Sequence, residues 1–300
     1  MFLNKKINAL IKYYRTYKCV LSNKNNILNW SNNEHVVDNW GDALNPVLFK
    51  YLSGNEPIHY HNILKKQLIK YDIPIYTMIG SFLGNVRDVN SEVYGTGFMN
   101  YDSELQISPR AIHAVRGKLT RKKLIESGLQ CPETFGDAAL LFPMFYQPKV
   151  KINYKLGIIA QHRDHGSPLI NKFIDSEVLS INIKGGLEKV VDQICMCEKI
   201  VSSSLHGIIA ADSYGVPSSW IKFTGRVLGD GFKFHDYFSS VGTQLKEPYQ
   251  VTKSTSIEDL LNTFSGDKPY LDIEKLLHSC PFLSKEVKST LNSDLVFNRK

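Results

Sequence analysis

Short apolar runs alternate with helical repeats of apolar residues from about residue 26 to residue 240. This alternation is typical of α/β proteins, in which strands and helices follow one another along the chain. In the first half the pattern predicts strands at 27–30, 73–79, 92–96 and 111–115. In the second half it predicts strands at 155–160, 178–183, 199–202 and 219–223.

Helix signals lie between these strands. Asn45 and Pro46 fit the N-cap and first-turn proline of a helix that continues to about residue 51. A second helix is predicted over 117–127, because Gly128 stands where a C-terminal glycine belongs. Further helices are predicted at 187–197, 205–214, 257–264 and 271–277.

The chain length of 300 residues favours two lobes, since a single hydrophobic core rarely organises so long a chain. Residues 147–149, Gln-Pro-Lys, suit a linker. We therefore expect two Rossmann-like lobes that face a cleft, with the working site outside the carboxyl ends of their strands. The predicted segments are a basic amphipathic N-terminal helix (1–25), an N-terminal α/β lobe (26–148), a C-terminal α/β lobe (149–250) and a C-terminal helical extension and tail (251–300).

The N-terminal segment carries most of the net charge. Its six Lys and Arg residues precede the first acid, Glu34, and supply nearly all of the formal charge of +7. An apolar stripe follows helical spacing, at Ile7, Leu10, Ile11 and Tyr14. Such a helix could rest on an anionic membrane surface or pack on the protein, and the pattern favours packing or a peripheral role over true anchoring. Because the remaining chain is nearly neutral and shows no recognition motif, nucleic-acid binding is not expected.

Composition narrows the class and the compartment. Apolar residues make up 43% of the chain and charged residues 22%, as in ordinary globular proteins. No apolar run reaches the roughly 20 residues that span a bilayer, and the N-terminus lacks the pattern of a secretory signal. The five cysteines are scattered and odd in number, which favours thiols over disulfides or a metal site. We expect a cytoplasmic protein, in one reading at the inner face of the membrane.

Residues 201–217, Val-Ser-Ser-Ser-Leu-His-Gly-Ile-Ile-Ala-Ala-Asp-Ser-Tyr-Gly-Val-Pro, carry the most informative pattern. A strand ends in three serines, and a helix begins close to His206. The unpaired N–H groups and the positive dipole end of that helix would point into the cleft and attract an anion. His206 could move a proton near neutral pH. The alternative is a serine N-cap beside an incidentally buried histidine.

Other short motifs stand in a fixed order around this one. They are Asn-Trp-Gly-Asp at 39–42, Gly-Ser-Phe-Leu-Gly at 80–84, Tyr-Gly-Thr-Gly at 94–97, Ala-Val-Arg-Gly-Lys-Leu-Thr at 114–120, Phe-Gly-Asp-Ala-Ala-Leu-Leu-Phe-Pro at 135–143 and Phe-Lys-Phe-His-Asp-Tyr at 232–237. Together, over about residues 26–240, this set resembles the polysaccharide pyruvyl transferase family, in particular the branch that decorates bacterial exopolysaccharides.

The resemblance implies a fold like that of B-type glycosyltransferases, with the acceptor on the N-terminal lobe and the donor on the C-terminal lobe. It implies phosphoenolpyruvate as donor and co-substrate, without a further cofactor or a metal. The product would be a pyruvate ketal on a sugar, either free or as a lipid-linked oligosaccharide, of a surface or capsular polysaccharide precursor.

The resemblance also implies roles for individual residues. His206 would be the acid or the partner of the phosphate, and Asp42 or Asp137 the base on the acceptor hydroxyl. The remaining donor residues would be Ser203, Ser204, Leu205, Gly207, Arg116, Lys118 and Arg163. The acceptor would contact Asn39, Gly41 and Tyr237.

This chain departs from the family pattern at one position. Family members often carry Arg-Leu-His where this chain has Ser204, Leu205 and His206. The cation that would replace this arginine is to be sought among Arg116, Lys118, Arg163 and Lys222. Arg116 ranks first, because it would begin a helix at the end of a strand.

Structural explanations compete with several of these roles. Asp42 could serve only the dipole of its helix, Asp137 could be a turn former, and Arg116 could pair with a carboxylate. Residues 161–164 could form a solvated turn, and the aromatic residues of 232–237 could stack on a sugar or pack in the core. Rival functions are a nucleotide-sugar glycosyltransferase, a two-lobed binding protein without catalysis, and a paralogue that has lost activity.

Overall fold

The computed structural model describes residues 2–22, 26–32, 38–161, 164, 167–223, 229–243 and 247–291. It contains two parallel β-sheets of five strands each, with helices around them. The α/β class and the two Rossmann-like units predicted from the sequence are confirmed. Every strand of the first sheet precedes residue 115, and every strand of the second follows residue 153.

The first sheet has the strand order β2-β1-β3-β4-β5. Its strands are β1 (Ile27–Leu28), β2 (Ile58–His59), β3 (Ile75–Thr77), β4 (Ser91–Tyr94) and β5 (Ala111–Ala114). The helices of this half are α1 (Phe2–Ser22), α2 (Trp40–Ser53), α3 (Lys65–Lys70) and α4 (Lys118–Glu126). Short 3₁₀ helices lie at Tyr60–Asn62, Leu83–Asn85 and Ala138–Met144.

The second sheet has the order β10-β9-β8-β6-β7. Its strands are β6 (Tyr154–Ala160), β7 (Val178–Asn182), β8 (Cys197–Ser202), β9 (Ser218–Lys222) and β10 (Tyr249–Gln250). The helices of this half are α5 (Pro168–Asn171), α6 (Leu187–Cys195), α7 (Leu205–Ser213), α8 (Phe232–Val241), α9 (Ile257–Leu261), α10 (Ile273–His278) and α11 (Lys285–Leu291).

Both sheets have the same doubly wound order, in which the second strand along the chain lies outside the first and the later strands follow on the other side. The winding therefore reverses between β1 and β3 in one sheet and between β6 and β8 in the other. In open α/β sheets the loops on either side of such a reversal leave opposite faces of the sheet. A crevice then opens at the carboxyl ends of the two strands.

The C-terminal part of the chain returns to the first half. The hydroxyl of Tyr94 on β4 donates a 2.9 Å hydrogen bond to the carbonyl of Leu276 on α10. Phe282 packs against Phe49 and Tyr76, at ring-centroid distances of 4.6 and 4.7 Å. One buried cluster accordingly runs from α2 through the 3₁₀ helix at Ala138–Met144 to α7 and α10, which ties the two halves together.

The start of α2 differs from the prediction. The helix begins at Trp40, not at Asn45, and Pro46 lies inside it. Asn45 does not cap the helix: its side chain bonds the Gly41 carbonyl at 3.2 Å and accepts from the Ile79 amide at 3.1 Å. The backbone of Trp40 also donates to the Ile183 carbonyl of the second half, at 3.0 Å. Tertiary contacts therefore extend the helix toward the cleft.

Most other predictions of local structure are confirmed to within a few residues, including Gly128, whose φ of +80° follows α4. The two-residue strands β2 and β10 were not predicted, because each pairs along one edge of a sheet and is too short to show a period.

Helix α1 packs on the first half through a side that includes Thr16, Cys19 and the half-buried Val20. Thr16 and Cys19 are buried beside Ile63 and Leu68, and the Thr16 hydroxyl accepts from the Leu64 amide at 3.0 Å. The predicted apolar stripe, Ile7, Leu10, Ile11 and Tyr14, is exposed. The interpretation that this stripe packs on the protein is therefore wrong. Among the described residues, no helix combines the length and the apolar character that crossing a membrane requires.

Candidate active site

A cavity of about 260 Å³ lies where the reversals of the two sheets face each other. Ser31 follows β1, the Gly80–Phe82 turn follows β3, Gln161 follows β6, and the Ser203–His206 turn follows β8. The starts of α2 and α8 also line it, as do Asn85 and Met99. The cavity thus lies in the cleft predicted from the sequence, outside the carboxyl ends of the strands.

His206 connects the two halves at this cavity. It lies in the first turn of α7, and its Nδ1 atom is 3.0 Å from Oδ1 of Asn39, at the start of α2. A β-carbon on Gly41 would lie 2.4 Å from the imidazole ring. The ring fills the space that a side chain at position 41 would need, so this position requires glycine. Gly80, whose φ of +100° suits glycine, lies near the other nitrogen of the ring, Nε2.

Burial, together with the positive charges of Lys233 and Arg116, lowers the pKa of His206 to about 3. A positive ring would lose its hydration there and would be repelled by both of these cations. The imidazole is therefore neutral at physiological pH before an anion binds.

Asp42 lies one helical position beyond Gly41 and lines the same cavity. Burial and the negative charge of Asp137, opposed by the positive charge of Lys233, together raise its pKa to about 7. The carboxyl is therefore partly protonated near neutral pH. A titratable group poised close to pH 7 is suited to proton transfer.

Asp137 is fully buried behind the cavity wall. Its two oxygens accept from the Gly80 amide at 3.3 Å and from the Ala139 amide at 3.0 Å. Burial raises its pKa to about 6, although these hydrogen bonds and the charge of Arg116 counteract the rise. This geometry holds the Gly80 turn in place and contributes a negative charge near Asp42.

The three serines at the end of β8 make different contacts. The Ser202 hydroxyl bonds both the amide and the carbonyl of Ser204, and the Ser203 hydroxyl accepts from the Gln161 amide at 3.0 Å. Ser204 is the N-cap residue of α7, yet its side chain makes no capping hydrogen bond, and it lines the cavity beside Leu205. The first amides of a helix lack acceptors within that helix, so this turn offers donors to an anion. Gly207 lies behind it, where a β-carbon would be 2.5 Å from the Ser202 hydroxyl.

Arg116 does not line the cavity. It is fully buried and pairs with Asp236 of α8, with Nη2 2.9 Å and Nε 3.0 Å from Oδ2. Its guanidinium also donates to the Phe98 carbonyl at 2.6 Å, the Ser81 hydroxyl at 2.7 Å and the Gly80 carbonyl at 3.5 Å. The Asp236 carboxylate also accepts from the amide and the hydroxyl of Thr120, both at 2.7 Å. The guanidinium therefore supports the cavity from beneath.

Four other candidate residues lie elsewhere or outside the described part of the chain. Lys118 borders a different cavity, next to Tyr270 and Leu276. The Tyr237 side chain is fully buried, and its hydroxyl donates to Asp212 at 2.8 Å. Arg163 falls outside the described residues. Lys222 ends β9 and is not part of the cavity wall.

Lys233 is a cation at the cavity that was not among the candidates from the sequence. It lies in the first turn of α8, lines the cavity, and its charge lowers the pKa values of both Asp42 and His206. The 232–237 motif was recognised in the sequence, but it was interpreted through its aromatic residues, as a sugar contact or part of the core, and not through its lysine. The signal that could have identified Lys233 is a lysine directly after Gly231 and Phe232, where a helix begins beside the cleft.

The described residues offer no group of three or more His, Cys, Asp or Glu side chains that could hold a metal ion. The arrangement instead combines helix amides, a hydroxyl and an ammonium group with two groups that can transfer protons. It can bind a small anion and move protons next to it.

Comparison with known proteins agrees with this architecture. The model of the polysaccharide pyruvyl transferase family matches residues 93–222, a range that includes Arg116, Asp137 and His206. The uncharacterized protein L143 of Acanthamoeba polyphaga mimivirus is 30% identical over 223 residues, which cover 70% of this chain and 75% of that protein. The family model implies a transferase. The chain belongs to the polysaccharide pyruvyl transferase family.

Proposed function

We propose that this chain transfers the pyruvyl group of phosphoenolpyruvate to two hydroxyls of a sugar in a polysaccharide precursor. The products would be a cyclic pyruvate ketal and inorganic phosphate. One observation supports this most strongly: a single cavity between the two halves brings a helix N-terminus and Lys233 next to two groups with strongly shifted pKa values, Asp42 and His206.

The donor is a compact trianion and needs fixed donors and a cation. In our proposal its phosphate binds the amides at the start of α7, the Ser204 hydroxyl and the Lys233 ammonium group. Hydrogen bonds from charged donors to phosphate are the stronger kind, and a helix N-terminus favours a negative charge. Lys233 thereby takes the task of the arginine that the family often carries at position 204.

The chemistry requires one proton to be delivered and two to be removed. Protonation of the methylene carbon forms the methyl group and leaves a cationic carbon that bears the carboxylate and the phosphate. The first sugar hydroxyl attacks that carbon and loses its proton, and the bond between carbon and the phosphate oxygen breaks. The second hydroxyl then closes the ring and loses its own proton. Of these two protons, one balances the new methyl group and the other leaves with the phosphate.

Asp42 and His206 can supply the acid and the base for these proton transfers, and either residue could take either role. The sequence-based assignment makes His206 the acid, and it requires the imidazole to gain its proton as the anionic donor binds. The resting pKa order favours the reverse, because Asp42 holds a proton near pH 7 whereas His206 does not. A bound trianion would raise the pKa values of both groups, so the resting order is the observation on which the assignment depends. We therefore propose Asp42 as the acid toward the methylene carbon and His206 as the base on the sugar hydroxyl.

The experiment that tests this function measures phosphate release from phosphoenolpyruvate in the presence of oligosaccharide acceptors. Nucleotide release from nucleotide sugars is measured in parallel. His206→Asn should lose about 10²–10⁴-fold in turnover, the usual contribution of one proton-transfer group. His278→Asn is the matched control, since His278 is exposed on α10, away from the cavity, and its ring lies 3.7 Å from the Glu274 carboxylate. Nucleotide release without phosphate release would identify a glycosyltransferase instead, and turnover by His206→Asn at the control's rate would refute the role of His206.

A further inference from the structure

The outward face of α1 carries an apolar stripe. We define the α1 stripe as Ile7, Leu10, Tyr14, Tyr17 and Leu21, which repeat at helical spacing along one side. Leu10, Tyr14 and Leu21 are 68%, 67% and 69% exposed. Ile11 and Tyr13 flank the stripe and are also exposed. The stripe lies opposite Thr16 and Cys19, the side chains that α1 buries against the first half.

The charge of this helix narrows the choice of partner. Residues 2–22 include five basic residues, Lys5, Lys6, Lys12, Arg15 and Lys18, and no acidic residue. Arg15 and Lys18 are exposed beside the stripe. A basic helix whose apolar face bears Leu and Tyr has the composition of helices that lie in the interface of anionic membranes. Tyrosine suits that depth, because its ring is apolar and its hydroxyl stays hydrated.

A second copy of the chain fits the same surface less well. The stripe has the 3-4 spacing of a coiled-coil seam, but the helix has no acid to pair with the basic residues of a partner. Two copies would therefore bring ten positive charges together across the contact. Exposed Ile11 and Tyr13 also make the apolar face wider than a two-position seam.

We propose that α1 binds the surface of an anionic membrane and lies in its plane. The stripe is buried at the boundary between headgroups and acyl chains, and the basic side chains contact lipid phosphates. This binding would not depend on the proposed reaction, but it would bring the cleft close to an acceptor that is attached to lipid.

The test uses the full chain and vesicle flotation. Vesicles of phosphatidylcholine alone are compared with vesicles that also contain phosphatidylglycerol, at low and at high salt. We expect binding only to the anionic vesicles and weaker binding at high salt, since screening reduces the attraction of basic residues. Replacement of both leucines in Leu10→Ser/Leu21→Ser should lower the partition coefficient by at least about tenfold, because each leucine loses its burial.

A matched control exists in the same chain. Ile152 and Tyr270 are 63% and 72% exposed and lie outside α1, so Ile152→Ser/Tyr270→Ser removes as many exposed apolar side chains elsewhere. The control should bind like the unchanged chain. Circular dichroism of both variants checks that the fold is intact, and Leu21→Ser alone replaces the double variant if that one unfolds.

Two results would overturn the proposal. One is a failure of the membrane test: either the unchanged chain does not bind anionic vesicles, or the Leu10→Ser/Leu21→Ser variant has the same partition coefficient as its control. The other is a stable dimer in light scattering that Leu10→Ser/Leu21→Ser dissociates, which would assign the stripe to a second copy of the chain.

Discussion

Two cations near the cleft illustrate how the surroundings of a side chain determine its use. Arg116 beneath the cavity is fully buried, and all of its hydrogen bonds go to protein groups, among them the Asp236 carboxylate. Lys233 lies three residues before Asp236 on the same helix, but it lines the cavity. The buried cation fixes α8 against the first half, and the cation at the wall can meet a ligand. A basic residue at the end of a strand is therefore not enough to indicate anion binding.

The largest expected effect concerns the buried pair. Arg116→Met should lower the free energy of unfolding by about 3–5 kcal/mol, because it leaves the Asp236 carboxylate buried without its partner. Urea denaturation at neutral pH measures this loss. The double variant Arg116→Met/Asp236→Leu removes both charges and should recover part of the stability. A loss below about 1 kcal/mol in the single variant would show that the pair is not structural.

Lys233→Met should act on the donor and not on the fold. Loss of a charged hydrogen bond, worth about 1.5–3 kcal/mol, should weaken phosphoenolpyruvate binding by roughly 10- to 150-fold. Calorimetric titration gives the dissociation constant, and urea denaturation should show little change. Lys118→Met is the control, since Lys118 borders a different cavity. Equal donor affinity in the two variants would contradict the assignment of Lys233.

The pH dependence of kcat/KM distinguishes the two proton-transfer assignments. If Asp42 is the acid, the free protein must hold its proton. Activity should then be constant below the pKa of about 7 and fall by about tenfold per pH unit above it. If Asp42 is the base, activity should instead rise with pH up to about 7 and then level off. In Asp42→Asn the limb that belongs to Asp42 should disappear, whereas a limb due to ionisation of the donor would remain.

The smallest expected effect concerns Tyr237, which the sequence suggested as an acceptor contact. Its hydroxyl is buried against Asp212, so Tyr237→Phe should cost about 1 kcal/mol of stability, the usual value of one hydrogen bond. Thermal unfolding measures that loss. The KM for the acceptor should stay unchanged, and a severalfold increase would restore Tyr237 to the acceptor site.

Local patterns were enough to predict the class, most strands and the position of the cleft. Strand β6 is buried on both faces from Leu156 to Ala160 and shows as a continuous apolar run. The ends of such strands determine where a doubly wound protein binds its ligands. The Ser203–His206 turn could be placed in the cleft for the same reason. The start of α2 could not be predicted from local patterns, because the backbone of Trp40 bonds to Ile183, which lies far away along the chain.

The partners of charged residues could not be predicted either. The sequence places Arg116 at the end of a strand, but Asp236 lies 120 residues further on, and only the fold brings the two together. The same holds for Asp42, whose raised pKa depends on burial and on Asp137. The exposure of the α1 stripe was missed because a periodic pattern reveals an apolar face but not what covers it.

The contact of His206 with Gly41 also has an evolutionary consequence. Because the ring occupies the space of a β-carbon at position 41, no side chain fits at that position while the ring stays in place. A descendant that acquires even alanine at position 41 must move the ring or exchange the histidine for a smaller residue. Position 41 should therefore remain glycine in every relative that keeps histidine at position 206. In a gene lineage that has lost the reaction, a side chain at position 41 should appear only together with, or after, a change at position 206.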